Sequence, residues 1–165
     1  MLIRYLLFAL LLSATATVYS AERFALKFEL TQEEKLIERG NAIVTRKAYT
    51  WSRGLERSYL RLRCDLQKSG KLVKLYSTRD HFSGLRVTHQ IKGDVVELTV
   101  VRTLVQPRLT EIRALALNEC EDLSPIVTTT TISYSFPAQD AITETRPFGD
   151  DMTFRSTLGS VEKKR

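Results

Sequence analysis

Residues Leu85–Val100 read LRVTHQIKGDVVELTV, two alternating runs joined at Lys92-Gly93-Asp94. Leu85, Val87, His89 and Ile91 share one parity, and Arg86, Thr88, Gln90 and Lys92 share the other. A period of two is the mark of a half-buried strand, and a two-residue turn at Lys-Gly or Gly-Asp joins two such strands into a hairpin. That turn sets the first group on the face of Val96, Leu98, Val100 and Leu104, and the second on the face of Val95, Glu97, Thr99 and Val101. A three-residue loop would turn one apolar set outward, so the pattern argues against it. The fold is therefore mainly β and antiparallel.

Working towards the N-terminus, residues 58–66 read SYLRLRCDL, with leucine and arginine alternating. A two-residue Ser69-Gly70 turn would bring Leu66, Cys64 and Leu62 opposite Val73, Leu75 and Ser77 on an inward face. Arg63, Asp65 and Arg61 would then lie outward, opposite Tyr76, Lys74 and Thr78. Further upstream, Phe24, Leu26, Phe28 and Leu30 alternate with Lys27 and Glu29, which predicts another strand. The segment TQEEKLIERG (31–40) carries a capping box, Thr31 with Glu34, and ends in Gly40. It predicts a helix of two turns that buries Leu36 and Ile37. A strand over Ala42–Trp51 follows, with Ile43, Tyr49 and Trp51 on one side.

Towards the C-terminus, Pro107 ends the central hairpin. The segment TEIRALALNECEDL (110–123) fits a helix capped by Thr110, and fits a strand only slightly less well. Residues 126–136, IVTTTTISYSF, are rich in β-branched side chains and predict a strand with Ile126, Ile132, Tyr134 and Phe136 on its apolar side. From Ala138 onward no period is visible, and the residues read as a polar tail, loosely attached or disordered. The expected architecture is α+β: an antiparallel meander sheet, small sandwich or half-barrel of about six or seven strands with one or two short helices. Its single β-rich domain would run from residue 21 to residue 137, with 138–165 as the tail.

The first residues, MLIRYLLFALLLSATATVYSAE, carry Arg4, an apolar run and then small and polar residues. This is the layout of a cleavable signal peptide spanning residues 1–20, cut after Ser20. The uncharged span Tyr5–Ala21 is short for a membrane helix, and nothing later in the chain is apolar enough to form one. Export places Cys64 and Cys120, the only cysteines, in an oxidising compartment. A disulfide between them would close a loop of about 56 residues, which chain entropy values at about 4 kcal/mol. Neither Asn41 nor Asn118 begins an N-x-Ser/Thr site, which leans towards a bacterial periplasmic or secreted protein, since such sites are common in eukaryotic secreted domains; the periplasm is expected over a fully extracellular location.

The charge is uneven. Arg46 to Lys74 holds nine basic residues against Glu56 and Asp65, a surplus of seven in a chain whose formal net charge is +6. Arg57, Tyr59, Arg61 and Arg63 share one face of a strand, with like charges roughly 7 Å apart. Together with Arg53 they form the candidate binding surface. Guanidinium groups bind phosphate and carboxylate through paired hydrogen bonds, so the partner would be an anionic polymer, a lipid headgroup or an acidic protein. The same stripe also reads as a solvated face that keeps a strand soluble. Nucleic acid is disfavoured, because the chain is read as exported and carries no nucleic-acid motif.

Catalytic and metal signals are weak. His81 lies in a predicted turn before Gly84, and His89 lies on an apolar face, which is the usual place of a core histidine. There is no Gly-x-Ser-x-Gly, no phosphate-binding glycine loop and no metal-ligand spacing, so no catalytic residue, metal ligand or cofactor is assigned. The sequence predicts an exported, non-enzymatic binding domain for an anionic envelope component. A structural or assembly subunit of an envelope complex is the alternative, and an enzyme comes third.

Overall fold

Leu26, Phe28 and Leu30 are buried and Lys27 and Glu29 are exposed, so the first alternating run forms strand β1, Phe24–Gln32, as expected. In the computed structural model, which describes residues 23–107 and 124–161 apart from the side chains of 60–63, seven further strands follow. They are β2 (Lys35–Val44), β3 (Tyr49–Leu66), β4 (Leu72–Lys92), β5 (Val95–Gln106), β6 (Ile126–Pro137), β7 (Ile142–Pro147) and β8 (Met152–Ser160). All described pairings are antiparallel, in one sheet ordered β2-β1-β8-β7 and another ordered β3-β4-β5-β6. The inner faces meet in one core that joins Leu26, Phe28, Leu30, Phe154 and Leu158 to Leu85, Val87, Val96, Leu98, Val100 and Phe136. Two sheets face to face over a shared apolar layer make a β-sandwich.

The central hairpin has the expected register. Lys92 pairs with Val95 across Gly93-Asp94, Ile91 with Val96 and Val87 with Val100. Gly93 takes a φ of 62°, which the tight turn requires. Leu104 alone departs from the expected inward set, being exposed beyond the region where β4 and β5 pair.

The N-terminal helix is replaced by a hairpin. Glu33 and Glu34, at φ 49° and 65°, form a two-residue turn, and Lys35–Val44 returns along β1. A two-turn helix gains little beyond its nucleation cost, whereas β2 covers the whole of β1. Leu36 and Ile37, expected to be buried, are exposed. Gly40 serves not as a helix cap but as the space under two rings. A Cβ there would stand 2.4 Å from the Phe28 ring and 2.8 Å from Trp51, which themselves meet edge to face at 4.8 Å. The strand expected over Ala42–Trp51 is in fact two, parted where Thr45–Ala48 cross between the sheets.

The expected polar tail is part of the sandwich. β8 pairs with β1 along its full length and with β7 on its other side, and Phe148, Phe154 and Leu158 are completely buried. Its apolar residues are spaced at Phe154, Ser156 and Leu158, with a serine in the core position between them. Ser156 is satisfied there by the Tyr134 hydroxyl of the opposite sheet at 2.9 Å. Burial pushes the Tyr134 phenol up, outweighing that hydrogen bond. The domain therefore extends past residue 137 to Ser160. No helix occurs among the described residues, and none there is long and apolar enough to cross a membrane. The 110–123 segment and the predicted leader lie outside the described residues.

Strands β3 and β4, with 18 and 21 residues, greatly exceed the usual five or six. They pair from Tyr49–His89 to Leu66–Leu72, but β5 joins β4 only from Gly84 onward. At that point the sheet forks. The Ser83 hydroxyl donates to the Thr103 carbonyl at 3.4 Å and accepts the Val105 N–H at 3.3 Å, standing in for the ladder where the strands part. Gly54 and Gly84 face each other here, and a Cβ on Gly54 would lie 2.3 Å from the Ser83 carbonyl oxygen. The Phe82 ring lies over this glycine pair, and the Arg86 guanidinium stacks on the ring at 4.1 Å. Beyond the fork, Leu55–Leu66 and Leu72–Ser83 form a two-stranded arm of roughly 40 Å.

Candidate anion-binding surface

The arm's turn determines which residues face which. It is a three-residue loop, Lys68-Ser69-Gly70, closed by Gln67 N–H to the Lys71 carbonyl and Gly70 N–H to the Gln67 carbonyl, each 2.9 Å. Gly70, at φ 77°, occupies the left-handed position that ends such a turn. The expected two-residue turn would also have put Ser69 at a strained position. Every cross-strand neighbour therefore moves by one. Leu66 pairs with Leu72, Asp65 with Val73, Cys64 with Lys74, Arg63 with Leu75, Leu62 with Tyr76 and Arg61 with Ser77. The inward leucine face expected here is not formed. Leu66 and Leu75 are exposed, and among the described residues no opposing sheet reaches this far to select an apolar side. Backbone parity instead puts residues 57, 59, 61 and 63 in line with Trp51 and its partner Val87, the side that faces the core at the base.

Of the five residues read as one surface, Arg57 and Tyr59 stay together. Arg57 pairs with His81 and Tyr59 with Arg79, so four side chains form a two-by-two block on one face. The Tyr59 and His81 rings meet edge to face at 5.8 Å along one diagonal, and the two arginines occupy the other. Both arginines are exposed, and no ion pair is formed by either among the described residues. The nearby carboxylates, Glu56 and Asp80, lie at the opposite parity, where Asp80 accepts a hydrogen bond from Ser58. Around the block, acid and base are thus on opposite faces; nearer the tip Asp65 returns to the arginines' parity. A small hollow of about 170 Å³ adjoins the block, lined by Tyr59, Arg79, His81, Ser124 and Pro125.

Arg53 is not part of this block. Its guanidinium lies 3.1 Å from the Glu38 carboxylate of β2 and faces a separate concavity on the other sheet. Arg61 and Arg63 continue along β3 past Tyr59 by register alone. The single stripe read from the sequence is therefore divided at the fork, with Arg53 at the sandwich and the others on the arm.

Arg79 and His81 were missed because Gly84 reads as a turn residue, whereas β4 runs straight through it. Arg79 also falls outside the conspicuous basic segment, and only the register brings it beside Tyr59. His89 stands in the core as expected of its apolar face. It is 1% exposed, neither ring nitrogen has a hydrogen-bond partner among the described residues, and the Tyr49 ring lies 5.7 Å away. Burial pulls its imidazole below the usual histidine range. Among the described residues no group of three His, Cys, Asp or Glu side chains is placed to hold a metal. Cys64 is half-buried near the arm's tip, and Cys120 lies outside the described residues. Comparison of the chain with protein-family models, curated proteins and solved structures gives no match.

Proposed function

We propose that the protein is an exported, periplasmic, non-catalytic binding module that engages an anionic component of the envelope through the basic face of its β3–β4 arm. The observation that carries this reading is the block of Arg57, Arg79, Tyr59 and His81, with both arginines exposed and the adjacent acids Glu56 and Asp80 on the other side. Two arginines rooted about 7–8 Å apart on a diagonal of the paired strands can reach successive phosphates or carboxylates, and the Tyr59 and His81 rings on the other diagonal offer an apolar contact. Arg61 and Arg63 would extend the track, and a Cys64–Cys120 disulfide would tie the arm to the segment before β6. A two-stranded ribbon is marginal by itself in water, so such a link gives the arm the rigidity that binding needs.

The test uses the secreted form of the chain with vesicles of phosphatidylglycerol in phosphatidylcholine, with dextran sulfate and with polyglutamate, across a salt series. Affinity is expected to fall as salt rises, and Arg57→Gln with Arg79→Gln is expected to weaken it at least tenfold at low salt. Absence of binding to all three probes at low salt, or binding untouched by the double substitution, overturns the reading.

A second reading, an assembly subunit, rests on β2. It forms an outer edge among the described residues and exposes Leu36, Ile37 and Ile43, and such an edge can accept an added strand. Concentration-dependent oligomers by analytical ultracentrifugation that are abolished by Ile43→Lys would favour it.

A further inference from the structure

The outer face of the β2-β1-β8-β7 sheet carries a concavity of about 610 Å³, lined by Lys27, Glu29, Arg39, Asn41, Arg53, Arg155 and Thr157 around the backbone of Phe28 and Gly40. Register builds it in two rows across three strands. Arg39, Glu29 and Arg155 form one row, and Asn41, Lys27 and Thr157 form the next. Strands lie about 4.8 Å apart and alternate residues about 7 Å apart. The three cationic stems Lys27, Arg39 and Arg155 therefore stand within about 10 Å of one another, close enough for their heads to converge on one group.

Among the described residues no ion pair claims any of these three. Glu29 stands between Arg39 and Arg155 and can neutralise only one charge. Arg53 at the rim is already matched by Glu38. Two positive charges remain over the hollow, which suits the dianion of a phosphate monoester. The neutral members, the Asn41 amide and the Thr157 hydroxyl, lie one row along and can hydrogen-bond hydroxyl groups. The volume falls within the range of small-molecule sites.

We infer that this concavity is a second, independent site on the sandwich that binds a phosphorylated sugar, with Arg39, Arg155 and Lys27 holding the phosphate and Asn41 and Thr157 the hydroxyls. It does not depend on the arm, and the two readings fail separately.

Titration of the isotope-labelled protein with glucose 6-phosphate, inorganic phosphate and glucose, followed by amide chemical shifts, tests it. Saturable shifts are expected at Lys27–Glu29, Arg39–Asn41 and Arg155–Thr157, tighter for glucose 6-phosphate than for phosphate, with glucose alone giving none. Arg39→Gln with Arg155→Gln is expected to weaken binding by at least about tenfold, as loss of charge-assisted hydrogen bonds does. Arg57→Gln with Arg79→Gln should leave it unchanged. Lys27→Gln is a milder variant that must also weaken it. Absence of shifts at these amides at millimolar ligand overturns the inference, as do shifts that survive the Arg39 and Arg155 substitutions. Equal affinity for inorganic phosphate and glucose 6-phosphate overturns the sugar assignment.

Discussion

The same two strands, β3 and β4, make the wall of the sandwich at one end and a free arm at the other. At the base, Tyr49–Arg53 pairs with Leu85–His89, and the inward residues Leu85, Val87 and His89 are buried against the opposing sheet. Beyond Gly54 and Gly84 the pairing continues without a break, yet Leu55, Leu66, Leu75 and Tyr76 are all exposed. Backbone hydrogen bonding does not distinguish the two ends; the presence of a second apolar layer does. At the base the hydrophobic effect selects which side chains face inward. On the arm no second sheet opposes either face among the described residues, and charge and turn geometry decide the arrangement instead.

The largest expected effect lies on the sandwich side of this contrast. Phe154 is completely buried, stacks on Phe28 at 5.8 Å and belongs to the C-terminal segment whose sequence shows no clear period. Phe154→Ala should cost about 3–5 kcal/mol, and urea denaturation followed by circular dichroism measures it. A loss below 1 kcal/mol would mean that β8 is an attachment and not part of the core. Gly40→Val, which drives a branched side chain into the Phe28 and Trp51 rings, should cost about 1–3 kcal/mol in the same assay.

At the junction itself, Gly54→Val places a side chain against the Ser83 carbonyl. It should also cost about 1–3 kcal/mol, but its signature should be local. Amide exchange should quicken through Leu55–Ser83 more than in β1 and β8. Uniform quickening in both sheets would show that the arm and the sandwich unfold as one unit.

His89 tests the base in the opposite direction. Its buried ring has two nitrogens without a partner among the described residues and a pKa held down by burial. The unfolded chain takes up a proton below about pH 6.5, where the folded chain does not. Stability is therefore complete above that pH and declines as pH falls towards the lowered folded value. His89→Leu should raise stability at pH 7 by about 1–2 kcal/mol and flatten the decline below about pH 6.5, as seen in melting temperatures across a pH series. An unchanged pH profile in the variant would place the acid sensitivity elsewhere.

The same division explains what could be read in advance. The central hairpin and β1 were legible because their alternation reports a real core. β8 was not, because Ser156 sits at a core position where Tyr134 satisfies it from the other sheet, and a sequence does not reveal a partner so distant. The β1–β2 turn was hidden because Glu33 and Glu34 are unusual residues at positive φ. The arm's register was misread for a different reason. Alternation there implies burial, but among the described residues no second apolar layer covers the arm, and the Gly70 turn fixes the pairing. That one-residue difference gave Arg57 and Tyr59 their neighbours His81 and Arg79, so the candidate site was only half visible.

The smallest stability effects belong to the arm, and they separate binding from folding. Arg57→Gln with Arg79→Gln removes two exposed like charges lying diagonally across the strands, and Leu75→Ser removes an apolar side chain with no opposing layer. Each should change stability by no more than about 0.5 kcal/mol, with relief of the arginine repulsion offsetting what the double substitution loses. The arginine variant should nevertheless lose salt-sensitive binding to anionic vesicles, while Leu75→Ser should keep it. If both variants melt like the parent and only the first loses binding, the arm's face is a surface maintained for contact and not for the fold. A loss of more than 2 kcal/mol in either would mean that the arm is packed, and the contrast drawn between the two ends of β3 and β4 would fail.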